Sequence, residues 1–178
     1  SSRLSLQAIG ASREPGRAQR LTLHNNGSAE LDVALTVVDA GLVAPETPVT
    51  ATSITGYSGG GKKMIEQYEA GGDPVLTAPR PYGLALAHKH LPEMMAHTGL
   101  ARPPVFMPVV SSFYKGLAVS VPLHLSQLRA GASGADLHQA LATHYAGERF
   151  IRVMPLSDPA TLENGFFDVQ ACNDTNRV

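Results

Sequence analysis

The chain has 178 residues, 43% of them hydrophobic, with 14 basic and 15 acidic side chains and a formal net charge of -1. That length supports one domain with a sizeable core and leaves little room for a second, the apolar share excludes a disordered chain, and the balanced charge excludes nucleic acid or an anionic membrane as the main partner. No apolar run reaches bilayer-spanning length, no signal-peptide pattern opens the sequence, and the single cysteine, Cys172, rules out an intramolecular disulfide framework, so a cytoplasmic, reducing location is expected.

Residues 1–30 are polar, with scattered Arg and Gly; a short strand is expected around Leu21–Leu23, with Asn25-Asn26-Gly27 as a turn. Leu31, Ala34, Leu35 and Val38 recur at helical spacing before Gly41, so 29–40 reads as a helix. Pro45 and Pro48 mark a loop, and the alternating, β-branched stretch 48–55 reads as a strand. Three glycines, Gly59-Gly60-Gly61, follow, then a helix from about Lys62 to Glu69 and a Pro/Gly-rich loop over 71–81. Residues 82–100 begin apolar and end as a helix after Pro92. The clearest strands are 105–110 and 117–125, with Pro108 and Pro122 pointing to edge positions or bulges. Ser133 caps the cleanest helix, 133–147, whose Leu137, Leu141 and Tyr145 share one face. "FIRVMPL" and "FFDVQAC" read as two more short strands. Helices and strands mix without regular βαβ alternation. The expected fold class is therefore α+β: a mostly antiparallel mixed sheet with helices on one face.

Two places carry candidate chemistry. Gly59, Gly60 and Gly61 can reach positive φ and let backbone N–H groups approach a ligand. A helix start and Lys62 and Lys63 follow, so the loop suits a phosphate or carboxylate as well as it suits a plain turn. It is not a P-loop, because the first glycine and the spacing differ. The second place is "HKHLPE". If the chain through His90 is extended, His88 and His90 share a face, and Pro92 starts a helix with Glu93 in its first turn. A general acid/base oriented by the carboxylate ranks first. A zinc site using His97 or Cys172 as a further ligand ranks below it, since the spacing matches no common zinc pattern. His124 is expected on a strand face, His138 and His144 on an exposed helix face, and Cys172 as a structural cysteine.

"SITGYSGGGKKMIEQYE", "LALAHKHLPEM", "PPVFMPVVSSFYKGLAVSVPLHL", "HYAGERFIRVMPL" and "NDTNRV" occur in that order. Together they resemble the catalytic and dimerisation domain of the N-acetyl-gamma-glutamyl-phosphate reductases, in the shorter of their two subfamilies. The resemblance covers 38–178 and leaves 1–37 as a segment that does not match. It implies the α+β domain shared with glyceraldehyde-3-phosphate and aspartate-semialdehyde dehydrogenases. It also implies NADPH-dependent reduction of a small acyl phosphate to a semialdehyde in arginine biosynthesis, by homodimers or homotetramers. A cysteine thiolate would attack the acyl phosphate, with a histidine as acid/base. Carried over by motif, His90 is the first choice for that histidine, His88 the alternate, and Glu93 orients. Ser58, Gly59, Gly60 and Gly61 would lie against the cofactor NADP or the phosphate, and Lys62 and Lys63 would offset its charge; no metal is implied. The family's Pro-Gly-Cys-Tyr stretch would fall near His24-Asn25-Asn26-Gly27, where no cysteine stands. The chain is therefore expected to be truncated at both ends, to lack most of the NADP site, and to be inactive in isolation. Two rivals stand beside this reading: a non-catalytic homo-oligomerisation module, and a metal-dependent hydrolase using His88, His90 and Glu93.

Overall fold

In the computed structural model, residues 4–9, 18–25 and 36–175 are described. Seven strands form one sheet: β1 (Leu4–Ile9), β2 (Ala18–Asn25), β3 (Thr50–Gly56), β4 (Arg80–Pro81), β5 (Val105–Ser111), β6 (Leu117–His124) and β7 (Arg152–Val153), in the order β4-β5-β3-β6-β2-β1-β7. Only β3 with β5 and β1 with β7 run parallel; the other neighbours are antiparallel. The helices are α1 (Lys62–Ala70), α2 (Leu91–Thr98) and α3 (Gly134–His144). The architecture is the α+β fold that the residue pattern implies.

Burial alternates along β3 and β5, as period-2 side chains require. Ala51, Ser53, Phe106 and Val110 face inward, with Val119 and Val121 of β6. Met94 of α2, Leu141 of α3 and Tyr145 just beyond it close over that face in one cluster. A second cluster joins Val37, Leu42, Val43, Leu123, Leu128 and Leu137. On the opposite face of the same strands Ile54, Val105 and Met107 are 37%, 43% and 47% exposed. Among the described residues, helices cover one face only.

The helix ends follow local chemistry. Ser133 and Asp136 form a reciprocal capping box, with Ser133 N–H donating to Asp136 at 2.8 Å. Pro92 sits in the first turn of α2, and Gly99, at φ 67°, closes it in the left-handed region. Helical backbone at 36–39 ends at Gly41, φ 63°; the rest of the predicted 29–40 helix lies outside the described residues, as does most of the Asn25-Asn26-Gly27 turn.

Several expectations are corrected. The strand expected at Leu21–Leu23 extends to the whole of β2, and β1, whose Leu4, Leu6 and Ala8 alternate with Ser5 and Gln7, was passed over. Pro108 and Pro122 lie in interior strands, not edge strands. Pro108 has no N–H to donate, but its carbonyl accepts from Tyr82 N–H at 3.0 Å just beyond β4, and Pro122 lies past Ser120, where the β3–β6 ladder stops. "FFDVQAC" is a run of turns, not a strand. Asp168 accepts from Gln170 N–H at 2.8 Å, and Asn173 N–H donates to the Gln170 carbonyl at 2.9 Å. Such local bonds compete with a sheet ladder. His138 is half-buried and bonded at 2.9 Å to the Met154 carbonyl, whereas His144 is exposed.

β5 and β6 are consecutive in sequence, yet β3 lies between them. The loop 112–116 must cross over the end of β3, and it does so at Gly56. Gly56 N–H donates to the Gly116 carbonyl (2.9 Å), Tyr57 N–H to Phe113 (3.0 Å) and Ser58 N–H to Tyr114 (3.0 Å). A Cβ on Gly56 would sit 2.5 Å from the Tyr114 carbonyl oxygen and 2.8 Å from the Lys115 Cα. Backbone cannot swing aside like a side chain. Gly56→Ala is expected to destabilise the fold by about 1–3 kcal/mol, read as a lower urea midpoint at unchanged slope.

Candidate active site

The crossing loop, the glycine loop and the histidine segment meet around one cavity of about 550 Å³. It lies at the carboxyl ends of the parallel strands β3 and β5, on the helix-covered face. Ser53, Thr55, Phe106, Val110 and Leu117 contribute its strand wall. Ser58, Gly59 and Gly60 form a second side and His88, Lys89 and His90 a third, with Tyr114, Lys115 and Gly116 from the crossing loop. Among the described residues no Asp or Glu lines it, and Lys89 and Lys115 do.

The glycine loop is a single 3-10 turn, Tyr57–Gly60, leading into α1 through Gly61. Of the three glycines only Gly61 adopts positive φ, at 77°. A Cβ on Gly60 would lie 2.3 Å from the Met64 sulfur, so that flexible side chain would have to shift. Tyr57 stacks on Tyr68 of α1, with centroids 4.6 Å apart and planes 8° from parallel, and meets Tyr114 edge-on at 5.5 Å. These contacts and the three backbone bonds to loop 112–116 hold Ser58–Gly60 at the cavity wall.

The histidine segment is not extended. Leu86 has φ 54°, and His90 is already in the right-handed helical region as the cap of α2. A turn closed by Leu91 N–H on the His88 carbonyl (3.0 Å) brings the two rings together, 4.9 Å apart and edge-to-face. His90 N–H donates to His88 Nδ1 at 3.3 Å, so the proton of the neutral His88 ring belongs on Nε2. Phe106 and Tyr82 lie against His88 at 5.1 and 5.6 Å. Partial burial lowers the His88 pKa below its ordinary 6.5, and the nearby His90 and Lys89 lower it further. His88 is thus neutral at pH 7. The unfolded chain protonates there first as pH falls below 6.5, so stability is lost between 6.5 and the lower folded value. Acidifying through that window should lower the urea midpoint of the wild type more than that of His88→Gln.

The sequence-derived set is split by the structure. Ser58, Gly59, Gly60, His88 and His90 come together at the cavity. Gly61, Lys62, Lys63 and Glu93 are exposed and do not line it. Lys62 makes only an exposed contact with Glu66, one helical turn on, at 3.7 Å. Among the described residues no three His, Cys, Asp or Glu side chains gather as metal ligands. Lys115, Tyr114, Tyr82 and Lys89 belong to the cavity and were not singled out from sequence. The available signal was "SSFYKGL", a cation and a glycine between two strands.

Among the described residues, a mostly antiparallel sheet with helices on one face and a cavity at the strand ends define an α+β domain. Residues 28–178 match the family described as "Semialdehyde dehydrogenase, dimerisation domain". The chain belongs to that family. Similar curated proteins are called N-acetyl-gamma-glutamyl-phosphate reductases. One from Nostoc sp., numbered 2 in its name, is 41% identical over 148 residues, covering 80% of this chain and 46% of the relative. One from Burkholderia cenocepacia is 38% identical over 173 residues, covering 95% and 54%. One from Rhizobium etli is 48% identical over 125 residues, covering 69% and 40%. The chain spans about half the length of the curated relatives it matches. No helix among the described residues is long and apolar enough to cross a membrane.

Proposed function

We propose that this domain is the catalytic and dimerisation portion of an N-acetyl-gamma-glutamyl-phosphate reductase. Such an enzyme reduces the acyl phosphate with NADPH to N-acetyl-glutamate semialdehyde and phosphate, a cytoplasmic step of arginine biosynthesis. The observation that carries it is the cavity, where two imidazoles and two lysines line the space beside a glycine loop. That polarity suits an anionic acyl phosphate.

His90, exposed at the cavity, is the proton-transfer group in this reading. His88, neutral and with its Nδ1 engaged, offers Nε2–H to charge developing on the carbonyl oxygen. Ser58, Gly59 and Gly60 border the ligand. NADP would supply hydride when bound, with that loop beside it. The thiolate nucleophile must come from outside the motifs of 38–178, so the isolated chain is not expected to turn over.

A chimera tests the reading. Residues 38–178 replace the matching region of the Nostoc relative, and phosphate-dependent NADP reduction is assayed with N-acetyl-glutamate semialdehyde. Turnover supports the proposal; a folded but inactive chimera leaves the non-catalytic association module.

The partner in this reading is a second copy. Met107, Val105 and Ile54 stand on the sheet face opposite the helices, in register through the Ile54–Val109 and Thr52–Met107 pairs. Exposed apolar side chains grouped on a sheet face favour a protein interface over solvent. Met107→Asp is expected to shift the chain from a dimer or tetramer to monomer in sedimentation velocity, with the fold retained.

A further inference from the structure

Lys62 and Lys63 leave the cavity without the cations expected for its phosphate, and Lys115 stands in the wall instead. The C-terminal turns grip this residue. Its ammonium pairs with the Asp174 carboxylate. Its carbonyl accepts from Asn173 Nδ2 at 2.7 Å. The next residue, Gly116 at φ 135°, lies so close to the tail that a Cβ would be 2.9 Å from the Val169 carbonyl oxygen. The "NDTNRV" motif thus has a place: its first residues hold the crossing loop.

The two bonds differ in kind. The Asn173 contact fixes backbone and is independent of the ammonium. The Asp174 pair is exposed, at 43% for the lysine and 79% for the aspartate, and such pairs are weakly held. A phosphate dianion offers more charge than one carboxylate, and Asp174 is rehydrated readily on release.

We propose that Lys115 is the phosphate-binding residue of this cavity and that Asp174 is its resting counter-ion, displaced when the anion enters. Asn173 is a positioning residue that keeps the loop in place during the exchange. The inference rests on the reading of the cavity as an acyl-phosphate site.

The test is a titration of the 178-residue chain with inorganic phosphate at low ionic strength, followed by the amide NMR signals of Ser58, Gly59 and Lys115. Saturable shifts are expected in the wild type. Lys115→Met should weaken phosphate binding roughly tenfold or more, and Lys115→Arg should retain it. Asp174→Asn should tighten binding about two- to fivefold, because it removes a competitor and a repelling charge. A merely structural ion pair would give no tightening. If phosphate saturates the wild type but Lys115→Met and Lys115→Arg bind equally well, the Lys115 assignment fails and the cavity reading stands. If Asp174→Asn weakens or leaves binding unchanged, the counter-ion role fails. If phosphate moves neither Ser58 nor Gly59 in the wild type, both the inference and the reading beneath it are overturned.

Discussion

His90→Ala in the chimera is expected to lower the reductase rate about 10²–10⁴-fold, the usual weight of a positioned general acid or base. His88→Ala should cost about 10²–10³-fold by losing a fixed donor to developing charge. The two residues separate on a second variant. Glutamine presents an N–H near the place of imidazole Nε2 but cannot exchange protons near neutral pH. His88→Gln should therefore recover a substantial part of the rate, and His90→Gln should not. The asymmetry comes from the 3.3 Å bond of the His90 N–H to His88 Nδ1, which fixes the His88 tautomer. Single-turnover rates with saturating substrate would show it. Equal recovery for both variants would refute the division of roles.

Leu141→Ala should be the most damaging single truncation in the core, at roughly 2–5 kcal/mol. Leu141 is fully buried on α3 and shares its cluster with Val49, Ala51, Met94, Leu100, Phe106, Val119, Val121 and Tyr145. Its side chain ties α3 to the sheet and to the α2 helix that carries the histidine segment. Alanine would leave a cavity that the flanking backbone, held in helix and sheet, cannot close. A fall in Tm of several degrees per kcal/mol lost, on the order of 2–4 °C each, should accompany it. Leu84→Ala, at a residue 76% exposed, should stay within about 0.5 kcal/mol of wild type. If the two variants unfold alike, α3 does not anchor the domain.

What was readable in the sequence was what local chemistry decides. Ser133, Pro92 and Gly99 mark helix ends through caps and φ limits, and the spacing of Leu137, Leu141 and Tyr145 marks a buried face. The strand at 117–125 announced itself by alternation, and that at 105–110 by an unbroken apolar run. β1 was passed over although Leu4, Leu6 and Ala8 alternate with Ser5 and Gln7; it pairs with β2 and β7. The cavity wall was legible at Ser58–Gly60 and His88–His90, where unusual residues crowd together. It was not legible at Lys115, which reaches the cavity only because loop 112–116 crosses β3. Lys62 and Lys63 misled for the converse reason. Nearness in sequence to the glycines places them on the first turn of α1, outside the cavity wall.

The insertion of β3 between β5 and β6 also bears on how the chain reaches this fold. Two consecutive strands joined by a short loop ordinarily zip up as a hairpin, a fast local nucleus. Here that shortcut is closed: β5 and β6 must each wait for β3, which ends at Gly56, far upstream of Val105 where β5 begins. The central pairing therefore closes a long loop before it gains any ladder, and folding is paced by that search. Until it succeeds, β5 and β6 offer unpaired apolar edges to one another and to other chains.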